Sequence, residues 1–150
     1  MNKEKIYFDT SVLSAYFDLR KPDRAQLTKE FWRKIPSYEP CVSTLVIDEL
    51  NQIASPALKK KLFELVKTCA VLQIDDESET LALAYIQAGI LPKKYIDDAL
   101  HIAAAVVHGI KLLVSWNFRH FVNIKTRQMV NLVNLKEGYG TIEIIAPPEI

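Results

Sequence analysis

Short, unbroken apolar runs alternate with helix-length patterns along this chain, and that alternation is its strongest constraint. Ile6-Tyr7-Phe8, Cys41-Val42-Ser43, Ala70 to Ile74, Leu112-Leu113-Val114 and Thr141 to Ile145 read as strands. Most are continuously apolar rather than alternating, so neither face is suited to water. Between them lie helical patterns: one from Ser11, another from Arg24 to Lys34, and a third from Thr44 to Ile53. Others run from Ser55-Pro56 to about Lys67, from Asp76 to near Gly89, from Pro92 to Gly109, and from Thr126 to Leu135. Asp76 with Glu79 has the spacing of a capping box, and Ser55 before Pro56 is a cap followed by proline in the first turn. Strand and helix in alternation imply an α/β fold with a mostly parallel sheet covered on both faces. Sites in such sheets form beyond the carboxyl ends of the strands, which filters the polar residues.

At 150 residues the chain is expected to form one domain, residues 1–150, without repeats or linkers. Its 49% hydrophobic and 25% charged residues are those of an ordinary globular protein. A net charge of +1 supplies no global attraction to nucleic acid or membrane, so a polyanion would have to be held by a local patch. Cys41 and Cys69 lack metal-ligand spacing and are read as free thiols. No apolar run approaches the length of a membrane span, and no extended apolar leader precedes Ile6. The expected compartment is the cytoplasm.

The chemistry is carried by misplaced acids. The stretch Asp97 to Val107 is a helix apolar almost all round, yet Asp98 shares a face with Ile102, Ala105 and Val106. A carboxylate left alone there costs several kcal/mol, roughly, unless a basic group or a cation answers it. Glu49 repeats the anomaly beside Leu45, Val46 and Ile53, whereas Asp48 falls on the polar face. Asp97, one turn before His101, is read as pairing with that imidazole, and His101 as a satisfied core histidine. Asp9 ends the first strand; Ser115 and Asn117 follow the strand Leu112-Leu113-Val114. Three carboxylates and a neutral oxygen donor from separate elements suit a hard divalent cation such as Mg²⁺ or Mn²⁺.

The stretches Ile6-Tyr7-Phe8-Asp9-Thr10-Ser11-Val12-Leu13, Ser43 to Leu50, Asp98 to Ala105 and Leu113 to Phe121, with the closing Pro147-Pro148-Glu149, resemble the PIN-domain ribonucleases. The likeness is to the VapC-like toxins of bacterial type II toxin–antitoxin pairs, and spans essentially the whole sequence. It implies a three-layer α/β/α sandwich and Mg²⁺- or Mn²⁺-dependent endonucleolytic cleavage of RNA. It also implies an antitoxin protein as partner and leaves a homodimer open. Carried over by position, the metal-holding acids are Asp9, Glu49 and Asp98, assisted by Ser115, with Asn117 standing where the family often has a fourth aspartate. That departure removes one negative charge from the site. Arg119 is the expected phosphate-binding residue, with Lys125 and Arg127 as weaker candidates, while Lys59-Lys60-Lys61 reads as a solvated helix face.

Two other α/β readings fit less well. A haloacid-dehalogenase-type phosphatase needs a second aspartate two residues after Asp9, where Ser11 stands. A receiver domain wants an acidic pair near the first strand and a phosphoacceptor at a later strand end, and neither is clear. The rival from another class is a PIN-like binding module that grips RNA or a protein without cutting, an idea sustained by Asn117.

Overall fold

The computed structural model describes residues 3–150. In chain order its elements are β1 (Lys5–Phe8), α1 (Thr10–Tyr16), α2 (Pro22–Lys34), β2 (Glu39–Ser43), α3 (Thr44–Asn51), α4 (Pro56–Val66) and β3 (Ala70–Leu72). They continue with α5 (Asp76–Gln87), α6 (Ile96–Val107), β4 (Leu112–Val114), α7 (Ile124–Lys136) and β5 (Glu143–Ile145). Single 3₁₀ turns at Ile35–Ser37, Lys93–Tyr95 and Pro147–Glu149 complete the described elements.

The five strands form one all-parallel sheet in the order β3-β2-β1-β4-β5. In register, Tyr7 of β1 lies opposite Cys41 of β2 and Leu113 of β4. Central strands of such a sheet are covered on both faces, and Ile6, Tyr7 and Phe8 are all fully buried. The connections run outward from β1 to β3, then return past β1 to β4 and β5. With right-handed crossovers this reversal puts α1–α4 on one face and α5–α7 on the other. The packing agrees, since α1 touches α2, α3 and α4, whereas α5 touches α6 and α7. The result is the α/β/α sandwich expected from the sequence.

Helix α6 is the most deeply packed helix. Ala99 and every residue from His101 to Val106 are buried, so the apolar circumference meets the sheet and α5. Its end is set by Gly109 at φ +75°, in the left-handed region that glycine adopts without strain. There the Ile110 N–H donates to the Ala105 carbonyl at 2.9 Å and the Gly109 N–H to the Val106 carbonyl at 3.0 Å, a Schellman stop.

Several local expectations shift. The cap of α5 is Asp75, not Asp76: its Oδ1 accepts the Ser78 N–H at 2.9 Å and the Ser78 hydroxyl at 2.8 Å. Because Asp75 turns the chain into α5, β3 ends at Leu72 rather than Ile74. Pro92 opens the 3₁₀ turn Lys93–Tyr95, and α6 proper starts at Ile96. Helix α2 starts at Pro22, before Arg24, with proline in its first turn. Helix α7 starts two residues before Thr126, at Ile124, because the Asn123 side chain accepts the Thr126 N–H at 2.8 Å. Ser55 caps α4 as expected, accepting the Leu58 N–H at 3.2 Å. Cys41 and Cys69 are both free thiols, and burial pushes the Cys69 thiol up to about 12.

Candidate active site at the switch point of the sheet

The strand order reverses between β1 and β4, and their carboxyl ends open a crevice there. Asp9 follows β1 and Ser115 follows β4, so the two meet across that opening. Asp9 occupies the N-cap position of α1 but makes no side-chain capping bond. Its carboxylate instead takes hydroxyls on both oxygens, from Ser11 at 2.5 Å and from Ser115 at 2.8 Å. Ser115 is fully buried, and its Oγ also accepts the Asn117 N–H at 2.9 Å. Ser11 Oγ accepts the Trp116 N–H at 2.9 Å, which ties the segment after β4 to the start of α1. Asp9 is only 4% exposed, and burial holds its carboxyl above the usual aspartate range. The nearby His101 imidazole and the two serine hydroxyls pull it down, and the Asp98 carboxylate pushes it up.

Glu49 enters from α3, half-buried at 36% side-chain exposure, while the neighbouring Asp48 is exposed, as the helix faces required. Its Oε1 lies 2.8 Å from His101 Nε2, whose ring is buried in α6. His101 Nδ1 lies 2.7 Å from the Tyr7 hydroxyl, and that oxygen 2.9 Å from Ser43 Oγ. An ionised Glu49 accepts only, so Nε2–H donates to it; with a neutral ring, Tyr7 donates to Nδ1 and Ser43 to Tyr7. Ser43 stands at the N-cap of α3 without capping it, its hydroxyl going to this chain instead. Burial pushes the Tyr7 phenol well above its ordinary range, so it stays protonated and available as a donor.

Asp98 leaves the first turn of α6 with 25% side-chain exposure. Its Oδ2 accepts from His120 Nδ1 at 2.5 Å, and the His120 ring packs 4.1 Å from the centroid of Tyr95. His120 is presented by a turn in which Asn117 Oδ1 accepts the His120 N–H at 2.9 Å. The neutral oxygen of Asn117 therefore serves the turn. Asp97 is exposed and has no imidazole partner; the expected pairing with His101 does not form, because His101 points inward to Tyr7 and Glu49. His101 is the satisfied core histidine the sequence suggested, yet it touches the acidic cluster directly.

The crevice thus brings Asp9, Ser115 and Asn117 together by direct bonds. Asp98 comes within the electrostatic reach of Asp9, and Glu49 joins through the His101–Tyr7 chain. No lysine or arginine pairs with any of the three acids among the described residues; imidazoles alone answer Glu49 and Asp98. Nor, among the described residues, does any group of three or more His, Cys, Asp or Glu side chains converge as a closed ligand cage. Mg²⁺ usually keeps several waters and needs only one or two carboxylates. A buried Asp9 whose direct partners are two neutral hydroxyls, with the partly exposed Asp98 in electrostatic reach and Glu49 joined through His101, fits a hydrated ion of that kind.

Of the basic residues, Arg119 is exposed with its guanidinium 5.9 Å from the Tyr95 ring centroid, beside His120. Lys125 lines the same groove, of about 340 Å³, which runs from Pro92 to Phe118. Arg127 is instead turned to Glu149 at 3.4 Å, so it is removed from the phosphate-binding set. Lys60 and Lys61 are exposed, as a solvated helix face should be. Ser11 and His120 were not singled out from the sequence. The readable signals are a hydroxyl two residues after a strand-end aspartate, and a histidine three residues after a turn-forming Asn.

Residues 6–125 match the PIN domain family. No curated protein matches the chain. Among solved structures, a toxin–antitoxin complex from Klebsiella pneumoniae is similar at 18% identity and TM-score 0.57, covering 79% of this chain and 92% of that one. VapC20 of Mycobacterium tuberculosis, a sarcin–ricin-loop-cleaving toxin, is similar at 16% identity and TM-score 0.57, over 77% and 92% of the two chains. VapBC2 of Rickettsia felis, bound to a DNA fragment from its promoter, gives 11% identity and TM-score 0.57 over 93% and 98%. At these identities the likeness is one of fold. The family match covers most of the chain, and with it the switch-point acids from Asp9 to Asp98, so this protein belongs to the PIN domain family.

Proposed function

We propose that the protein is a metal-dependent endoribonuclease, the toxin of a toxin–antitoxin pair. The observation that carries this reading is the buried Asp9, braced by Ser11 and Ser115 at the switch point, with the Asp98 carboxylate close enough to raise it. Asp9, Glu49 and Asp98 would hold Mg²⁺ or Mn²⁺. When bound, such an ion makes a coordinated water a better nucleophile and screens charge developing on a phosphoryl group. The chain's own part is positional. Ser115 and Ser11 fix both Asp9 oxygens, His101 fixes Glu49, and His120 fixes Asp98. Arg119, exposed at the rim, is placed to take a substrate phosphate.

The partner proposed is an antitoxin, since one of the similar structures is named as a VapBC pair and another as a toxin–antitoxin complex. No helix among the described residues is long and apolar enough to cross a membrane, which accords with a cytoplasmic toxin.

The test compares wild type with Asp98→Asn for growth arrest and for cleavage of a transcribed RNA in Mn²⁺ and in EDTA. Wild type should cut only with the ion, and the variant should lose about 10²–10⁴-fold in rate, the range for a positioned catalytic carboxyl. Equal cutting by both proteins sinks the assignment. The engagement of Asn117 in a turn, and of Glu49 and Asp98 with imidazoles, favours a second reading: a PIN-like module that binds without cutting. Calorimetry with Mn²⁺ separates the two, because a pure binding module takes up no ion.

A further inference from the structure

From the geometry beside the acidic cluster we infer that Phe118 is a stacking platform for an unpaired nucleotide next to the scissile phosphate, with Arg24 holding the adjoining backbone. This rests on the nuclease reading and names the side chains that would hold the unpaired base and its backbone. Phe118 is 48% exposed, an aromatic ring the core does not use. It is nonetheless held in place, because the segment that carries it is tied to the Asp9 brace twice, through Trp116 N–H to Ser11 and Asn117 N–H to Ser115. Beneath it, Trp116 is 8% exposed and donates its indole N–H to Thr28 at 2.8 Å. The Arg24 guanidinium lies 4.8 Å from the Trp116 ring centroid and 5.9 Å from that of Phe118.

Two grooves meet at this ridge. One, of about 330 Å³, holds Ser11, Lys21, Arg24 and Trp116; the other, of about 340 Å³, holds Phe118, Arg119, His120 and Lys125. Cations stand on both sides of an exposed aromatic, and the groove walls carry Ser11 and His120, the partners of Asp9 and Asp98; that order matches the alternation of phosphate and base in one strand. Duplex RNA offers no free base face to such a ring. The same cations disfavour a basic peptide as occupant, and Asp18 is paired with Arg20 rather than free to receive one.

The probe is a mixed-sequence single-stranded RNA carrying 2-aminopurine, titrated in EDTA, with the same strand closed into a duplex alongside. Wild type should quench the fluorophore and prefer the single strand. Phe118→Ala should weaken binding roughly five- to a hundredfold, the effect of one lost stack, and Phe118→Trp should restore it. In Mn²⁺, Phe118→Ala should raise KM with kcat nearly unchanged. Phe118 is exposed, so its replacement should leave the fold intact, and matching melting curves for the three proteins check it. Equal binding by wild type and Phe118→Ala, no binding by wild type, or equal affinity for duplex overturns the inference. So does a Phe118→Ala protein that loses only an antitoxin while its RNA affinity stands. Stacking that depends on Phe118 without any cleavage in Mn²⁺ keeps the platform but removes the nuclease reading, and with it the place beside a scissile phosphate. Cleavage indifferent to Phe118 does the reverse.

Discussion

Glu49 and Asp98 pose the same problem on two helices, and each is answered by an imidazole, but the two imidazoles are held in opposite ways. His101 is 2% exposed, bonded through both ring nitrogens, and edged by Tyr7 and Phe121 at centroid distances of 5.9 and 6.4 Å. His120 is 9% exposed, uses Nδ1 for Asp98, and rests on Tyr95 at the wall of a groove. The first couples the site to the core through Tyr7 and Ser43; the second couples it to a turn near solvent. A carboxylate tied to the core cannot move without disturbing β1. One tied to a surface turn can move at small cost. The lesson is that rigidity in this crevice is graded, from Glu49's side to that of Asp98.

Breaking the inner pair should have the largest effect. His101→Leu removes the bonds to the Tyr7 hydroxyl and to Glu49; Tyr7 keeps Ser43 and Glu49 is half-exposed, so the loss is about 1–3 kcal/mol in all. Chemical denaturation should show a loss of that order, and His101→Gln, which can donate and accept, should recover part of it. If His101→Leu is as stable as wild type, the distinction between the pairs collapses. Breaking the outer pair should cost less. His120→Ala removes one charge-assisted bond at a partly exposed carboxylate and a ring packed on Tyr95, about 1 kcal/mol in the same assay. Its catalytic cost should be larger in proportion, about 10–100-fold, as for partners that orient a ligand. Equal stability losses in the two variants would remove the grading.

Asp9, between the pairs, sharpens the comparison through pH. Its folded carboxyl is raised, so the fold favours the protonated form. Stability from this group is greatest below the ordinary aspartate value, and is lost as pH rises through the raised value. Asp9→Asn mimics the protonated state. In metal-free buffer it should therefore melt higher than wild type at pH 7, with the advantage vanishing towards pH 4, while RNA cleavage is lost. A variant that melts lower at pH 7 would mean that the Ser11 and Ser115 hydroxyls outweigh burial.

Much of this was legible beforehand. The position of Glu49 on α3 and of Asp98 on α6 followed from helical periodicity, and Asp9 and Ser115 from strand ends, because both depend only on local geometry. Asp97 was assigned an imidazole that it does not have, for the same reason: spacing along a helix says which residues are neighbours, not whether a ring is drawn inward by Tyr7. Asn117 was read as a neutral oxygen donor to the site, whereas its oxygen accepts the His120 N–H and so serves a turn. Arg127 looked like a site cation until the chain end brought Glu149 to it.

The parallel α/β sandwich and the inward-facing acids follow from hydrophobic period and strand-end position, which are properties of adjacent residues. Only the tertiary structure decided what answers those acids. The partners of Asp9, Glu49 and Asp98 lie 106, 52 and 22 residues away, respectively, for Ser115, His101 and His120. Contacts at that separation are set by how β1, α3, α6 and β4 pack at the switch point, and no local pattern specifies them.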